Sequence, residues 1–167
     1  MLHKIKGTSV CPPRPNPLQM FTGLIGGALG ISAIAWLTQL TGVPLLMAPF
    51  GATCVLLFAA ASAPLAQPRN VVGGHFIAAL VGIVIFQLAG NGPLPMAIAV
   101  GLAIALMQFC RAVHPPAGAN PLVIMLAGVN DYHFLLTPVL AGSVTLVLVA
   151  LVVNNIGADK RWPSYWV

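Results

Sequence analysis

Long apolar runs separated by short polar connections dominate the sequence. The runs cover residues 18–40, 43–65, 71–89, 94–110, 116–127 and 134–156. A helix needs about 20 mostly apolar residues to cross the hydrocarbon core of a bilayer. The pattern therefore predicts an all-α membrane protein with about six membrane segments.

Two of the six runs contain proline where a continuous helix needs backbone hydrogen bonds. The second run contains APFG at residues 48–51, and the short fifth run follows His114 and Pro115. Proline lacks an N–H group and clashes with the preceding turn of a helix. We therefore predict that Pro and Gly break the second and fifth segments into half-helices that begin at Phe50 and Ala117.

The composition supports a membrane protein and limits the functions that its side chains could perform. Hydrophobic residues make up 59% of the chain and charged residues 5%, whereas about a quarter of a soluble domain is charged. The acids Asp131 and Asp159 lie outside the apolar runs, which argues against cation transport through an intramembrane carboxylate. The cysteines are too scattered for a metal or redox site. We expect no metal, no cofactor and no catalytic residues, because the sequence lacks a nucleophile with a base and paired carboxylates.

The basic residues predict the orientation. If all six segments cross, one side of the membrane receives Lys4, Lys6, Arg14, Arg69, Arg111, Lys160 and Arg161. The positive-inside rule then places both termini in the cytoplasm of a bacterium, with the chain in its inner membrane. A re-entrant fifth segment would put Lys160 and Arg161 outside. The predicted organisation is a basic arm (1–17), one transmembrane domain (18–157) and a cytoplasmic tail (158–167).

The broken segments also suggest an internal repeat. Aligning APFGATCVLLFAAA (48–61) with PPAGANPLVIMLAG (115–128) pairs Pro49 with Pro116, Gly51 with Gly118, and Ala52 with Ala119. Such matches also arise by chance in a chain rich in Ala and Gly. Each broken segment is nevertheless the middle one of three, so six crossings give two inverted repeats, at about 18–90 and 94–156.

The repeat predicts a binding site near the middle of the bilayer. Residues 111–116, if extended, span up to about 20 Å, so the two half-helices can start there with their N-termini facing each other. Free N–H groups and the positive ends of both helix dipoles attract an anion. The expected substrate-binding residues are Pro49, Gly51, Ala52, Thr53, His114, Pro115, Pro116, Gly118, Ala119 and Asn120.

Several of these residues have a simpler structural explanation. Gly51 and Gly118 either admit a ligand to the backbone or allow close helix packing. Packing is favoured for Gly23, Gly26, Gly27 and Gly30 of the first segment. Trp162, Tyr165 and Trp166, with Lys160 and Arg161, are typical of an anchor at the membrane interface.

A second group of polar residues is predicted to form a cationic vestibule on the inner side, which would concentrate an anion before it reaches the site. Its members are Arg69, Asn70, His75 and Arg111. The arginines also fit a purely topological role, and Asn70 also fits a cap on the third segment. His75 and His114 are either packed within the bundle or positioned to carry a proton, since histidine titrates near neutral pH.

The motifs resemble those of the HPP family of integral membrane proteins. The resemblance rests on HPPAGA at 114–119, on MAPFGATCVLLFAAASAPLAQPRNVVGGH at 47–75, and on LVVNN and WPSYW near the end. It implies an integral membrane protein, and plant chloroplast and cyanobacterial relatives are associated with nitrite transport. The family is often described with four spans, whereas the hydropathy and charge pattern of this chain favours six.

The leading hypothesis is therefore membrane transport of a small monovalent anion, with nitrite as the first candidate substrate. The alternatives are a channel for a small neutral solute such as urea or ammonia, and a structural membrane subunit. The expected partners are the anion, the lipid bilayer and further copies of the chain in a homo-oligomer, and nucleic acid is not expected. The sequence leaves open whether a channel or a coupled carrier is formed.

Overall fold

The computed structural model describes residues 9–157 and 161–167, and within these residues it contains helices and no strand. The α-helices of this part are α1 (Pro17–Thr41), α2 (Ala48–Ala59), α3 (Pro68–Ala89), α4 (Pro93–Phe109), α5 (Asn120–Ala127) and α6 (Ala141–Val153). Short 3-10 turns occur at Pro64–Ala66 and Pro115–Ala119, and a π-helical turn occurs at Leu135–Leu140. The predicted all-α class is confirmed.

In the described part of the chain, three helical stretches are long and apolar enough to cross a membrane. They are Pro17–Thr41, Pro68–Ala89 and Leu135–Val153. Helix α4 is also apolar and has 17 residues, which at 1.5 Å per residue is about 25 Å. These lengths agree with an integral membrane protein, and the two shorter helices α2 and α5 are the segments predicted to be broken.

The broken segments are present, with starts that differ from the predicted ones. Helix α2 begins at Ala48, before the expected Phe50, because Pro49 fits the first turn of a helix. Helix α5 begins at Asn120, after the expected Ala117. Pro121 has no N–H group to continue the α-helical ladder toward Ala117, so the preceding residues form a 3-10 turn instead.

The sixth segment contains a break that the apolar pattern did not reveal. Breaks were predicted only in the second and fifth runs, which implied a continuous helix over residues 134–156, but Thr137 has extended backbone angles (φ −134°, ψ 115°) within the π-helical turn. Pro138 follows directly and cannot donate a backbone hydrogen bond. The regular helix therefore starts only at Ala141, and the prediction of continuity is wrong.

Helix α3 lies at the centre of the bundle and contacts α4 and α5, while α1 contacts α2 and α6. Ile34, Phe50, Leu57, Ile83 and Leu146 are among the buried side chains of the larger core. A smaller core on the other side of α3 contains Ala78, Ala99, Ala103, Met107 and Met125. Because α3 contributes to both cores, its polar residues are enclosed on several sides.

The glycines of α1 confirm part of the predicted packing role. A Cβ atom on Gly26 would overlap the Phe58 ring, and one on Gly30 would lie 3.0 Å from Leu146 Cδ2. A Cβ on Gly27 would meet nothing within 4 Å among the described residues. Packing within the chain therefore explains Gly26 and Gly30, whereas no contact among the described residues explains Gly27.

Several connections lie together at one end of the bundle, which we call the arginine end. Pro15 at the start of α1 lines one cavity with Ser62 and Arg161. The tail continues across the α2–α3 connection, where Ser164 N donates to Gln67 Oε1 at 2.8 Å. Trp162 is buried, 5% exposed, so the interfacial role predicted for this residue is wrong, whereas Trp166 is exposed. Lys4, Lys6, Asp159 and Lys160, which entered the predictions above, lie outside the described residues.

Candidate functional site

Four polar side chains from different parts of the chain meet inside the bundle, and we call them the histidine cluster. They are Thr53 of α2, His75 of α3, His114 before the second 3-10 turn, and Asn120 at the start of α5; each is 0% exposed. Buried polar groups are stable only when they are hydrogen-bonded. The cluster makes bonds among its own members and with three backbone carbonyls, those of Pro49, Leu65 and His75.

Thr53 connects the two histidines. Its Oγ1 lies 2.8 Å from His75 Nε2 and 3.0 Å from His114 Nε2. At the outer ends, His114 Nδ1 lies 2.9 Å from the Leu65 carbonyl oxygen, and His75 Nδ1 lies 3.1 Å from Asn120 Nδ2. The result is one continuous chain of hydrogen bonds from Asn120 to the Leu65 carbonyl.

The fixed acceptor at Leu65 sets the direction of this chain of bonds when both histidines are neutral and the single Thr53 hydroxyl hydrogen goes to His114 instead of the Pro49 oxygen, 3.2 Å away. A carbonyl oxygen only accepts, so His114 Nδ1 carries the hydrogen and His114 Nε2 accepts from the Thr53 hydroxyl. Thr53 Oγ1 then accepts from His75 Nε2, and His75 Nδ1 accepts from Asn120 Nδ2. Asn120 Nδ2 also donates to the backbone oxygen of His75 at 2.9 Å. Each of the four side chains thus makes at least one hydrogen bond, and Asn120 Oδ1 is left without a donor among the described residues in this arrangement.

Close packing holds the two histidines against each other. A Cβ atom on Gly74 would lie 2.7 Å from His114 Cβ and 2.9 Å from the Ala112 oxygen. Only glycine at this position lets the backbone before the 3-10 turn approach α3 so closely. The Phe50 ring stands edge-on to His75 with ring centroids 5.1 Å apart. The imidazole of His75 therefore has aromatic, hydroxyl and amide neighbours.

Beside the cluster lies an open groove of about 650 Å³ between the two broken segments. We call it the central groove; its lining is mostly apolar and comprises Ala48, Pro49, Ala52, Val55, Leu56, Pro115, Pro116, Ala119 and Val123. Eight of these nine residues form aligned pairs of the suspected repeat: 48 with 115, 49 with 116, 52 with 119, and 56 with 123. The segments that the alignment paired thus face one another across one groove.

Gly51 and Gly118 have open space where a side chain would be. A Cβ atom on either glycine would meet nothing within 4 Å among the described residues. Close helix packing, one of the two explanations proposed from the sequence, therefore does not account for these glycines within a single chain. The space remains free for a ligand or for another molecule at the surface.

The arginines predicted to line a vestibule lie next to each other at the arginine end. Arg69 Nη2 donates to the Cys110 oxygen at 2.9 Å, and Arg69 Nε donates to the Arg111 oxygen at 3.3 Å. These carbonyls follow the last turn of α4, where a cation satisfies free acceptors and the negative end of the helix dipole. Arg69 therefore holds the 110–114 loop against α3, while the Arg111 side chain is exposed.

Asn70 does not cap α3, and the prediction of that role is wrong. Its Nδ2 donates to the Val113 oxygen at 2.8 Å, and its Oδ1 accepts from the Tyr165 hydroxyl at 2.8 Å. Asn70 therefore joins the 110–114 loop and the tail to α3. The N-cap position belongs to Gln67, a fully buried residue whose amide bonds to Ala61, Ala63 and Ser164.

The structure thus separates the sequence-predicted residues into three places. Thr53, His114 and Asn120 enter the histidine cluster, and they are joined by His75, which the sequence assigned to the vestibule. Pro49, Ala52, Pro115, Pro116 and Ala119 line the central groove, whereas Gly51 and Gly118 belong to the same two segments but are not among its lining residues. Arg69, Asn70 and Arg111 lie at the arginine end.

Sequence reasoning missed Gly74, Leu65 and Gln67. The GGH and QPRN motifs signalled Gly74 and Gln67, but a backbone oxygen such as that of Leu65 leaves no trace in a sequence. The part of the chain that the structure describes contains no group of three or more His, Cys, Asp or Glu residues able to hold a metal ion.

A helical bundle of this apolarity, with an uncharged polar cluster inside it, defines a multi-pass integral membrane protein. Residues 12–163 match the transmembrane region of HPP proteins, and the chain belongs to the HPP family. The resemblance seen in the sequence motifs is thereby confirmed.

Two relatives are transmembrane proteins of Dictyostelium discoideum. One is 40% identical over 129 residues, which cover 72% of this chain and 45% of the relative. The other is 33% identical over 174 aligned residues, which cover 98% of this chain and 56% of the relative. The chain thus spans about half the length of these curated relatives. No solved structure matches it.

Proposed function

We propose that this HPP protein transports a small monovalent anion, with nitrite as the first candidate substrate, and that the anion passes through the central groove. The observation that carries the proposal is the groove itself, where the two interrupted segments meet along equivalent residues. Interrupted helices that face one another from two repeats are the usual way in which transporters build a site within the bilayer.

The helix starts supply the attraction for an anion. Helix α2 and the 3-10 turn at Pro115–Ala119 both begin at the groove, and within the described residues neither start has a side-chain cap. The positive end of a helix dipole favours negative charge. The dipole alone supplies this attraction, because Pro49, Pro115 and Pro116 have no N–H group and the N–H groups of Phe50 and Ala117 donate to the Met47 and His114 oxygens. The apolar runs that form the groove contain no Asp or Glu, so their side chains include no carboxylate that would repel an anion.

The apolar lining favours a small anion with a single charge. An ion that enters the groove exchanges much of its hydration for contacts with Pro49, Ala52, Pro116 and Ala119. The cost of removing water rises steeply with charge, so a phosphate or sulfate dianion is a poorer substrate than nitrite. Arg69 and Arg111 at the arginine end raise the local anion concentration, as proposed for the vestibule.

The inverted repeat is part of the same proposal. Thr53 and Asn120 are equivalent in the repeat alignment, and they bind the two ring nitrogens of one residue, His75. In the repeat, α1 corresponds to α4 and α3 corresponds to α6. The contact between α3 and α4 therefore has an equivalent in the contact between α6 and α1, and both pairs of helices pack together. A two-fold relation between residues 18–90 and 94–156 accounts for both observations.

A channel for a small neutral solute is the second candidate. The low polarity of the groove and the closed hydrogen bonding of the neutral histidine cluster favour it. Urea or ammonia would pass without the electrostatic attraction that an anion requires. A measurement of anion flux and urea flux therefore distinguishes the two candidates.

The test is flux into liposomes that contain the purified protein, measured side by side for nitrite, nitrate, formate, chloride and urea. Protein-free liposomes at the same pH measure how fast the protonated acids, such as nitrous and formic acid, cross the bilayer unaided. This background is subtracted. We expect nitrite flux well above this background, and loss of that flux in Gly118→Leu, because Gly118 directly precedes the groove residue Ala119 and the new side chain would fill open space at the 3-10 turn.

Gly101→Leu is the matched control. Gly101 is exposed on α4, outside the groove lining, and a Cβ atom there also meets nothing within 4 Å among the described residues. Nitrite flux should survive this substitution. Urea flux without anion flux would replace the proposal by the neutral channel, and unchanged nitrite flux in folded Gly118→Leu would show that the pathway does not pass Gly118.

A further inference from the structure

The histidine cluster can accept one proton by exchanging one hydrogen bond for another, with no net loss. In the neutral arrangement His75 Nδ1 accepts from Asn120 Nδ2, yet Asn120 Oδ1 lies only 3.3 Å from the same nitrogen. A proton added to His75 Nδ1 turns this nitrogen into a donor to Asn120 Oδ1. The bonds through Thr53 to His114 and Leu65 keep their direction, and Asn120 Nδ2 keeps its bond to the His75 oxygen.

The added charge can also move between the two rings. His75 Nε2 passes its hydrogen to Thr53 Oγ1 while the Thr53 hydroxyl hydrogen passes to His114 Nε2. His75 is then neutral again, with its hydrogen on Nδ1, and His114 carries both ring hydrogens and the charge. The atoms and the total charge balance, and each position of the proton leaves every member of the cluster hydrogen-bonded.

A positive charge at this depth needs a nearby negative charge. The two rings are 0% exposed, and an unpaired buried charge is very costly. Each neighbouring sequence segment contributes only neutral groups or cations: Cys54 on α2, Arg69 on α3, and Cys110 and Arg111 before the 3-10 turn, with Tyr165 of the tail at Asn70. Helices α4, α5 and α6 contribute no charged residue.

An anion in the central groove would be that partner. Ala52 and Ala119 line the groove and directly precede Thr53 and Asn120, the two residues that bind the His75 ring. We propose that the cluster takes up one proton, from water that enters the groove, together with each anion, so that the protein is a proton–anion symporter. This inference rests on the anion transport proposed above.

Coupling follows from the reciprocity of binding. If the anion favours the protonated cluster, protonation favours the anion by the same factor. Where the free cluster is mostly neutral, the apparent affinity for nitrite therefore falls about tenfold for each unit rise in pH, and levels off where the cluster is already protonated. One proton moves with one anion, so the transport cycle carries no net charge.

The experiment uses nitrite with liposomes that contain the full chain and an internal pH dye. A potassium gradient with valinomycin sets the membrane potential, and protein-free liposomes correct for nitrous acid that crosses unaided. We expect the wild-type protein to carry one proton with each nitrite ion, at a rate that the membrane potential leaves unchanged.

Substitutions test the cluster itself. Thr53→Val keeps the side-chain shape but removes the link between the rings, and we expect the proton-to-nitrite ratio to fall toward zero. Nitrite flux that remains should then follow the membrane potential. Thr53→Ser should restore the ratio, and His114→Gln should lower it. His133→Gln, in an exposed loop, is the matched control and should behave as wild type.

The outcomes separate the two proposals. Nitrite flux that follows the potential and carries no proton in the wild-type protein would overturn the symport mechanism and leave anion transport standing. An unchanged ratio in both Thr53→Val and His114→Gln would also overturn it. Absence of nitrite flux above protein-free liposomes would instead contradict the proposed function. If Thr53→Val does not fold, the proton-to-nitrite ratios of the wild-type protein and of His114→Gln still test the symport mechanism.

Discussion

At the scale of single residues, the glycines of this bundle have two different surroundings. A Cβ atom on Gly82 would lie 2.8 Å from Pro121 Cα, so backbone rather than a flexible side chain blocks it. A Cβ atom on Gly51, Gly101 or Gly118 would meet no described atom within 4 Å. The first kind of glycine is required by helix packing, and the second kind tolerates a side chain as far as the fold is concerned.

The matched substitutions Gly82→Ala and Gly101→Ala test this difference. Both lie within long helices and gain the same helix propensity. We expect Gly82→Ala to be less stable than Gly101→Ala by about 1–3 kcal/mol, because overpacking must push α5 away from α3. The measurement is thermal unfolding in detergent, and equal melting temperatures would contradict the packing at Gly82.

At the scale of elements, the 110–114 loop is a separate piece held onto α3. Arg69 donates to two of its carbonyls, and Asn70 donates to the Val113 oxygen. The loop also packs closely on Gly73, where an added Cβ atom would lie 3.3 Å from Ala112 Cβ. The loop in turn positions His114, whose ring enters the histidine cluster. The arginine thus affects the cluster through the loop without touching it.

Limited trypsin digestion tests the attachment of the loop. Arg111 is exposed and adopts a positive φ of 53°, so it is an accessible cleavage site once the loop can move. We expect Arg69→Ala to be cut after Arg111 several times faster than wild type, since both hydrogen bonds from the guanidinium group to the loop carbonyls are lost.

Arg14→Ala is the control, because it removes one exposed arginine outside the loop. Its rate of cleavage after Arg111 should equal that of the wild-type protein. If Arg69→Ala were also cut at the wild-type rate, the loop would be held by its other contacts and not by Arg69.

At the scale of the whole molecule, the connections fall into two groups. The arginine end joins the start of α1, the α2–α3 connection, the 110–114 loop and the tail. Near the other end of α3, Gln87 donates to the Asn130 oxygen at 2.8 Å and accepts from the Tyr132 hydroxyl at 2.8 Å. This separation agrees with the grouping of basic residues on one side that the positive-inside rule predicts.

Cysteine labelling in intact cells tests the membrane orientation. In a background without Cys11, Cys54 and Cys110, cysteines at positions 91 and 133 should react with an impermeant maleimide from outside. Cysteines at positions 14 and 111 should react only after the membrane is permeabilised. Labelling of positions 91 and 111 from the same side would contradict the six-crossing topology.

The sequence by itself determined the class of the protein, the family and most of the helices. Apolar runs and charge content are local properties, so the ends of α1 (Pro17–Thr41) and α4 (Pro93–Phe109) agree with the predicted runs to within a residue. Proline acts on its own backbone, and for that reason APFG and HPP also revealed the broken segments. The break before Pro138 was not predicted, because strongly apolar residues surround it.

Only the tertiary structure decided how the site is assembled. His75 lies 22 residues from Thr53 and 45 from Asn120 in the sequence, and no local pattern specifies that helices pack so as to bring these groups within hydrogen-bond distance. The same holds for Trp162, which the sequence places at an interface and the fold buries. Hydrogen bonding and burial depend on neighbours that are distant in the chain, whereas helix formation and membrane compatibility depend mainly on nearby residues.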